Sequence, residues 1–282
     1  MDEVALLERF EKVAAFMRRG GLHPLTRLGR NVAERLLRSE LSINFDDMHM
    51  SAPIALRGFL YRVRGGRMEP YMSRLFKEAV RPDSVVLDVG ACLGYYTLLA
   101  AKRGAKVYAF EPDESVFRFL LANIQKNNLS DRVIAVPKAV SNTTKSHPFF
   151  INESPDLNSF FVNTGEVKET VEVDSTSIDK FLDDAINVHV IKIDVEGAEF
   201  QVLGGMGRTL ARGEDLTLFV ESNPHCLRSA GGSPQKLVKR IKEFGFQVMI
   251  IDERNARLCP VDDAAALTRT VNLYCARSKK DV

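Results

Sequence analysis

The sequence predicts an α/β fold, a doubly wound, seven-stranded, mostly parallel sheet with an N-terminal helical extension. Three observations predict it. From about residue 69 onward, short branched apolar runs alternate with amphipathic stretches, as repeated strand–helix units require. Val85-Val86-Leu87-Asp88-Val89 passes through Gly90-Ala91-Cys92-Leu93-Gly94 into an amphipathic stretch from Tyr95, which reads as strand, tight turn and helix. Several strand runs end on an acid, and open α/β sheets bind ligands in the crevice at the carboxyl ends of their strands.

In chain order, Val4, Leu7, Phe10, Val13, Ala14 and Met17 recur at helical spacing, predicting a helix over 3–19 that ends at Gly20-Gly21. A second helical pattern spans 26–39. The pair is expected to cap the site's mouth or to pack, rather than to make a dimer contact, although a homodimer stays open. Residues 41–66 are harder to assign. Asn44, Asp46, Asp47, Met48, His49 and Met50 contain metal-ligand types, but a connecting segment of alternating polar residues reads as solvated. A helix over 69–80 closes at Arg81-Pro82-Asp83, and a division between an extension (1–67) and a ligand-binding domain (68–282) is expected.

The regular alternation then gives strand 85–89, helix 95–103, strand 106–110, helix 113–127 and strand 133–136. An extra β-ribbon is expected within 139–184, before a helix over 177–183. Strand 188–193, helix 199–212, strand 216–220 and helix 234–244 follow, and strands 247–251 and 270–276 close the chain as an antiparallel hairpin.

Composition narrows the function. Lys and Arg number 39 and Asp and Glu 37, so the formal charge of +2 gives no support to an electrostatic nucleic-acid binder. Cys92, Cys226, Cys259 and Cys275 are far apart without zinc spacing, which reads as reduced thiols. The N-terminus has no signal-peptide core and no apolar run reaches membrane-span length. A cytoplasmic protein without membrane partners is the expectation.

The chemistry lies in the strand ends. The dinucleotide fingerprint GxGxxG seats a pyrophosphate on a helix N-terminus; here the pattern is DxGxxxG, from Asp88, Gly90 and Gly94. An acid at that point repels a pyrophosphate and attracts an ammonium group, such as the one on the methionine end of S-adenosylmethionine (SAM). Glu111, ending the second strand before Pro112, stands about twenty residues on, where nucleotide-binding sheets place a carboxylate on ribose hydroxyls. Asp194 and Glu196 follow the fourth strand, and Glu221 ends the fifth with His225 beyond it. Four strand ends thus deliver acids to one edge.

The segments Asp88-Val89-Gly90-Ala91 through Thr97, Phe110-Glu111-Pro112, Ile191-Lys192-Ile193-Asp194-Val195-Glu196-Gly197-Ala198-Glu199 and Glu221-Ser222-Asn223-Pro224 together resemble the FkbM-like family of SAM-dependent methyltransferases. The likeness runs over roughly 69–274. It implies a class I, Rossmann-like methyltransferase fold in which Asp88, Gly90, Ala91, Gly94 and Tyr95 hold the methionine end of SAM. Glu111 would hold the ribose, and the adenine would lie between Pro112 and Val140. Asp194 would line the methyl-transfer side beside Glu196. Cys92 departs from the family, which often carries Asn there.

The resemblance implies O-methylation of a hydroxyl on a small molecule, sugar or natural product, which calls for alignment and a general base. Asp194, Glu196 and His225 are the candidates. Asp194 and Glu196 are also the right type of ligand for an assisting Mg²⁺, but no metal ligand is assigned. Adenine N-methylation is disfavoured, because the fourth strand ends in Asp-Val-Glu-Gly rather than an Asn/Asp-Pro-Pro-aromatic turn. Two other readings stay open: a SAM-binding scaffold without turnover, and a nucleotide-dependent oxidoreductase, which the missing GxGxxG opposes.

Overall fold

The computed structural model describes residues 40–152, 157–162, 167–212, 215–261 and 267–277. The helices expected over 3–19 and 26–39 lie outside the described residues. Among those described, no helix is long and apolar enough to cross a membrane.

The central sheet forms where apolar runs are buried on both faces, as parallel strands require. Strands β3 (Val85–Val89), β4 (Lys106–Phe110), β5 (Val133–Val136), β9 (Val190–Ile193) and β10 (Thr217–Ser222) run parallel in the order β10-β9-β3-β4-β5. The reversal between β9 and β4, on either side of β3, is the topological switch point at which such sheets open a crevice. Helix α3 (Tyr95–Lys102) follows β3. Helix α4 (Glu114–Lys126) follows β4 and is capped by Asp113, whose Oδ1 accepts from Ser115 N and Val116 N.

The closing strands differ from expectation. The sheet has eight strands rather than seven: β11 (Gln247–Asp252) and β13 (Val271–Ala276) pair antiparallel as expected, but a further strand lies between them in the chain. Strand β13 inserts between β10 and β11, antiparallel to both, and β12 (Arg257–Pro260) is the added edge strand on β11. Its four residues alternate too briefly to announce a strand. A turn held by Asp252, which accepts from Asn255, folds it back.

The ribbon expected within 139–184 is present: β6 (Ala139–Val140), β7 (Ser146–Asn152) and β8 (Val167–Thr176) make a three-stranded sheet in the order β6-β8-β7. Helix α5 is shorter than expected, Ile178–Phe181. The single helix expected over 199–212 is two, α6 (Glu199–Gly204) and α7 (Gly207–Arg212). The break falls where Gly205 packs on the Ser141 carbonyl so closely that a Cβ would stand 2.1 Å from its oxygen.

The described unit begins at Glu40. Residues ahead of 68 are not purely helical: β1 (Glu40–Phe45) and β2 (Met48–Pro53) form an antiparallel hairpin, followed by α1 (Arg57–Arg64) and then α2 (Pro70–Ala79). Met48, Met50 and Leu60 share one core with Leu98 and Leu120, so this segment is continuous with the sheet's packing. Buried Asn123 stitches it in place, accepting from Ser51 N and donating to the Ser51 and Leu93 carbonyls. His49 hydrogen-bonds Asn44 and Ser51 in the hairpin, and Asp46 pairs with Lys77.

Candidate active site

A cavity of about 300 Å³ opens at the carboxyl ends of β3, β4, β9 and β10, a volume suited to a small ligand. Its first wall is the β3–α3 loop. Gly90 has φ 82°, and a Cβ there would lie 1.8 Å from the Asp194 carbonyl oxygen, so only glycine lets this loop close on β9. Gly90 N and Ala91 N both donate to the Phe110 carbonyl. Cys92 N donates to Glu111 Oε2 at 2.9 Å, and Asp113 N to Oε1 at 2.9 Å. The bond at Cys92 is made by the backbone, so Cys in place of Asn leaves it intact. Cys92 itself sits at φ 49°, a left-handed conformation that Asn tolerates better.

Glu111 lines the cavity and is 7% exposed. Burial pushes its carboxyl up to about 8, the neighbouring Asp113 and Asp88 charges add to this, and the two backbone N–H bonds oppose it. Pro112 and Val140 also line the cavity, with Phe149 and Phe160 from the ribbon region.

The opposite wall is acidic. Asp194, Glu196 and Glu221 all line it, and one carboxylate oxygen from each lies within 4.8 Å of the others. Lys192, 4% exposed, donates to Asp194 Oδ2 at 2.9 Å and sits over the Tyr96 ring. Burial works against its charge, but Asp194, Asp88 and Glu69 outweigh burial and hold it above the usual lysine value. Burial lifts Glu221 well above the ordinary carboxylate value, helped by the Asp194, Glu196 and Glu199 charges and opposed by Lys192. Glu196 stands at φ 50°, and its Oε2 accepts from Cys226 Sγ at 3.1 Å and from Asn223 Nδ2 at 3.4 Å.

The third wall comes from the segment ahead of the sheet. Phe59, Arg62, Arg67, Met68 and Glu69 line the cavity. Glu69, left-handed at φ 43°, accepts from Tyr96 Oη at 2.7 Å and from Asn272. Lys138 adds a third cation to the wall.

The Methyltransferase FkbM domain matches residues 88–248, more than half of the chain. The chain belongs to this family. An FkbM-family chain is a SAM-dependent methyltransferase, which removes the oxidoreductase and non-enzymatic scaffold readings. Hexuronic acid methyltransferase AglP of Haloferax volcanii is 28% identical over 188 residues, covering 65% of this chain and 72% of that protein. Methyltransferase 1 of Beauveria bassiana is 27% identical over 161 residues, 49% of this chain and 65% of the relative. Among solved structures, P. horikoshii TYW2 in complex with MeSAdo aligns with a TM-score of 0.44 at 14% identity, over 86% of this chain and 73% of that one.

The residues of this FkbM methyltransferase fit SAM: a buried carboxylate with hydrogen-bonding capacity left over, Glu111, faces the cavity, and Gly90 of the β3–α3 loop lines it. Of the residues expected to contact it, Gly90, Glu111, Pro112, Val140 and Asp194 line the cavity. Asp88, Ala91, Gly94 and Tyr95 do not. Asp88 is 1% exposed and faces inward, where Thr97 Oγ1 donates to its Oδ2 at 2.6 Å. Its Oδ1 is buried with no hydrogen-bond partner among the described residues. Ala91 and Gly94 shape the turn, where Gly94 N donates to the Ala91 carbonyl. Tyr95 packs against Phe45 and Phe59.

Of the expected catalytic residues, Asp194 and Glu196 face the cavity and His225 does not. His225 is exposed in the first turn of α8 (Pro224–Ser229), away from the wall, because Asn223 caps that helix. Sequence reasoning missed Phe59, Glu69, Phe149 and Phe160. Glu69-Pro70 did carry a helix-start signal, but nothing in its spacing tied it to strand ends over a hundred residues away.

Proposed function

We propose that the enzyme transfers the SAM methyl group to a hydroxyl of a small, sugar-like acceptor that carries a negative charge elsewhere. The observation that carries this reading is the polarity of the cavity: carboxylates on the β9 and β10 side, and Arg62, Arg67 and Lys138 on other parts of the wall. A carboxylate nucleophile would be repelled by Asp194, Glu196 and Glu221, whereas a hydroxyl can donate to them. The three cations suit an anionic substituent such as a uronic acid carboxylate. The hexuronic acid acceptor named for the Haloferax relative is consistent with such a substrate.

In this reading Glu111 accepts the ribose hydroxyls, the Gly90 loop receives the methionine end, and Pro112 with Val140 borders the adenine. When bound, SAM would supply a methyl group on a sulfonium whose S–C electron pair would stay on sulfur as a neutral thioether once the methyl is transferred to the acceptor oxygen. Asp194, fixed by Lys192, orients the acceptor hydroxyl, and Glu196 takes its proton. Phe59, Arg62 and Arg67 bring the described segment ahead of residue 68 into the acceptor wall.

The test is incubation with methyl-labelled SAM and paired saccharides, one with a uronic acid and its neutral counterpart. The label is expected in a base-stable ether on the acidic saccharide. Label in a base-labile ester, or equal labelling of the neutral sugar, would contradict the proposal.

A further inference from the structure

We propose that Asp194, Glu196 and Glu221 form a binding site for one divalent cation of the oxygen-preferring type. Three carboxylate oxygens within 4.8 Å of one another share a common point no more than about 2.8 Å from each, within small side-chain movements of the bond lengths of Ca²⁺, Mn²⁺ or Mg²⁺. The three residues come from the ends of two hydrogen-bonded strands, so their backbones are fixed relative to each other.

A second observation points to a ligand. Glu221 Oε2 is sealed from solvent with no hydrogen-bond partner among the described residues, although the side chain lines the cavity. A buried carboxylate oxygen left unpaired is costly, and its neighbours Asp194, Glu196 and Glu199 are acids. Glu199, 1% exposed, also has an oxygen, Oε2, without a partner among the described residues. Lys192 offsets this crowding only in part, because it bonds Asp194 Oδ2 and its charge acts on Glu221 alongside Asp194, Asp88 and Glu69. A divalent cation would offset most of the trio's charge and give the Glu221 carboxylate a partner.

Glu196 is already held for this task. Its carboxylate accepts from Cys226 and Asn223, and its carbonyl accepts from Ser159 Oγ at 2.7 Å. With three protein oxygens on the cation, further coordination positions face the cavity, where an acceptor hydroxyl would become more acidic. This role for the cation rests on the proposed function, but the existence of the site does not.

The experiment is a titration of the full chain with MnCl₂, followed by electron paramagnetic resonance, alongside calorimetry with SAM. One saturable Mn²⁺ site per chain is expected, weakened at least tenfold in Glu221→Gln and in Glu196→Gln and unchanged in Asp183→Asn, an exposed acid elsewhere. A retained SAM titration shows that each variant is folded, and either variant alone suffices if the other fails to fold. Absence of a saturable site below about millimolar Mn²⁺, or a site that survives both substitutions, would overturn the proposal. Failure of the unsubstituted chain to bind SAM would instead count against the functional reading and leave the Mn²⁺ result standing.

Discussion

The two carboxylate walls of the cavity are built from the same kind of residue and are electrostatically unlike. At Glu111 both oxygens accept backbone N–H groups, from Cys92 and Asp113, so the side chain is aimed before any ligand arrives. At Asp194, Glu196 and Glu221 the neighbours are mostly other acids, and Glu221 keeps an oxygen with no partner among the described residues. The first wall is organised for one unchanging ligand. The second stores charge repulsion that a bound cation, a proton or an acceptor hydroxyl must relieve.

The largest effect is expected where the walls meet. Gly90→Ala pushes a Cβ into the Asp194 carbonyl at a positive φ, which forces the loop off β9. A destabilisation of ~2–4 kcal/mol is expected, from strain together with the backbone clash, and SAM binding should be lost. Thermal melts and calorimetry would show both; a melt within a degree or two of the parent would mean that the loop can yield.

Glu221→Gln separates the walls next. Its folded-state pKa is raised above the unfolded value, so its bound proton stabilises the fold fully below the unfolded pKa, and that contribution is lost as pH rises through the folded value. In chelator, the variant should melt at the same temperature as the parent near pH 4 and above it at pH 8. Methyl transfer should fall by about tenfold or more if the charge is used in the reaction.

How much of this was legible in the sequence differs between the walls too. Glu111 and Gly90 announced themselves, because a strand end, a turn and a twenty-residue spacing are local signals. The acids after β9 and β10 were legible as a cluster at one edge, since a shared sheet brings strand ends together. Their mutual frustration was not, because it depends on burial and on where Lys192 points. At Asp88 a strand-end position does not encode the contact the structure adds, in which Thr97 Oγ1 donates to its Oδ2. The third wall was not legible: Phe59 to Glu69 precede the sheet and nothing in their spacing ties them to its strand ends, although Leu41, Ile43, Phe45 and Met48, Met50, Ala52 do alternate as strand residues.

Two smaller changes sharpen the contrast. Cys92→Asn should stabilise the fold by ~0.5–1 kcal/mol by easing the left-handed backbone, visible as a rise in melting temperature with SAM affinity preserved; a loss of affinity would mean that the Cys92 side chain matters to the ligand. His225→Ala should change neither stability, beyond ~0.5 kcal/mol, nor turnover, beyond about twofold. A large loss of turnover would return His225 to the list of bases.

The most direct test of the SAM site is the ratio of SAM affinities between the parent chain and Glu111→Gln, measured by calorimetry from pH 6 to pH 9. The titration of SAM itself cancels in the ratio. Burial holds Glu111 near 8, and only the ionised carboxylate accepts both ribose hydroxyls. The parent's advantage should therefore grow as pH rises toward 8 and level off above it. Its plateau should be roughly 10–100-fold, the worth of hydrogen bonds to a charged group. A ratio near one at every pH would show that Glu111 does not hold the ribose, and would contradict the account of this cavity as the SAM site.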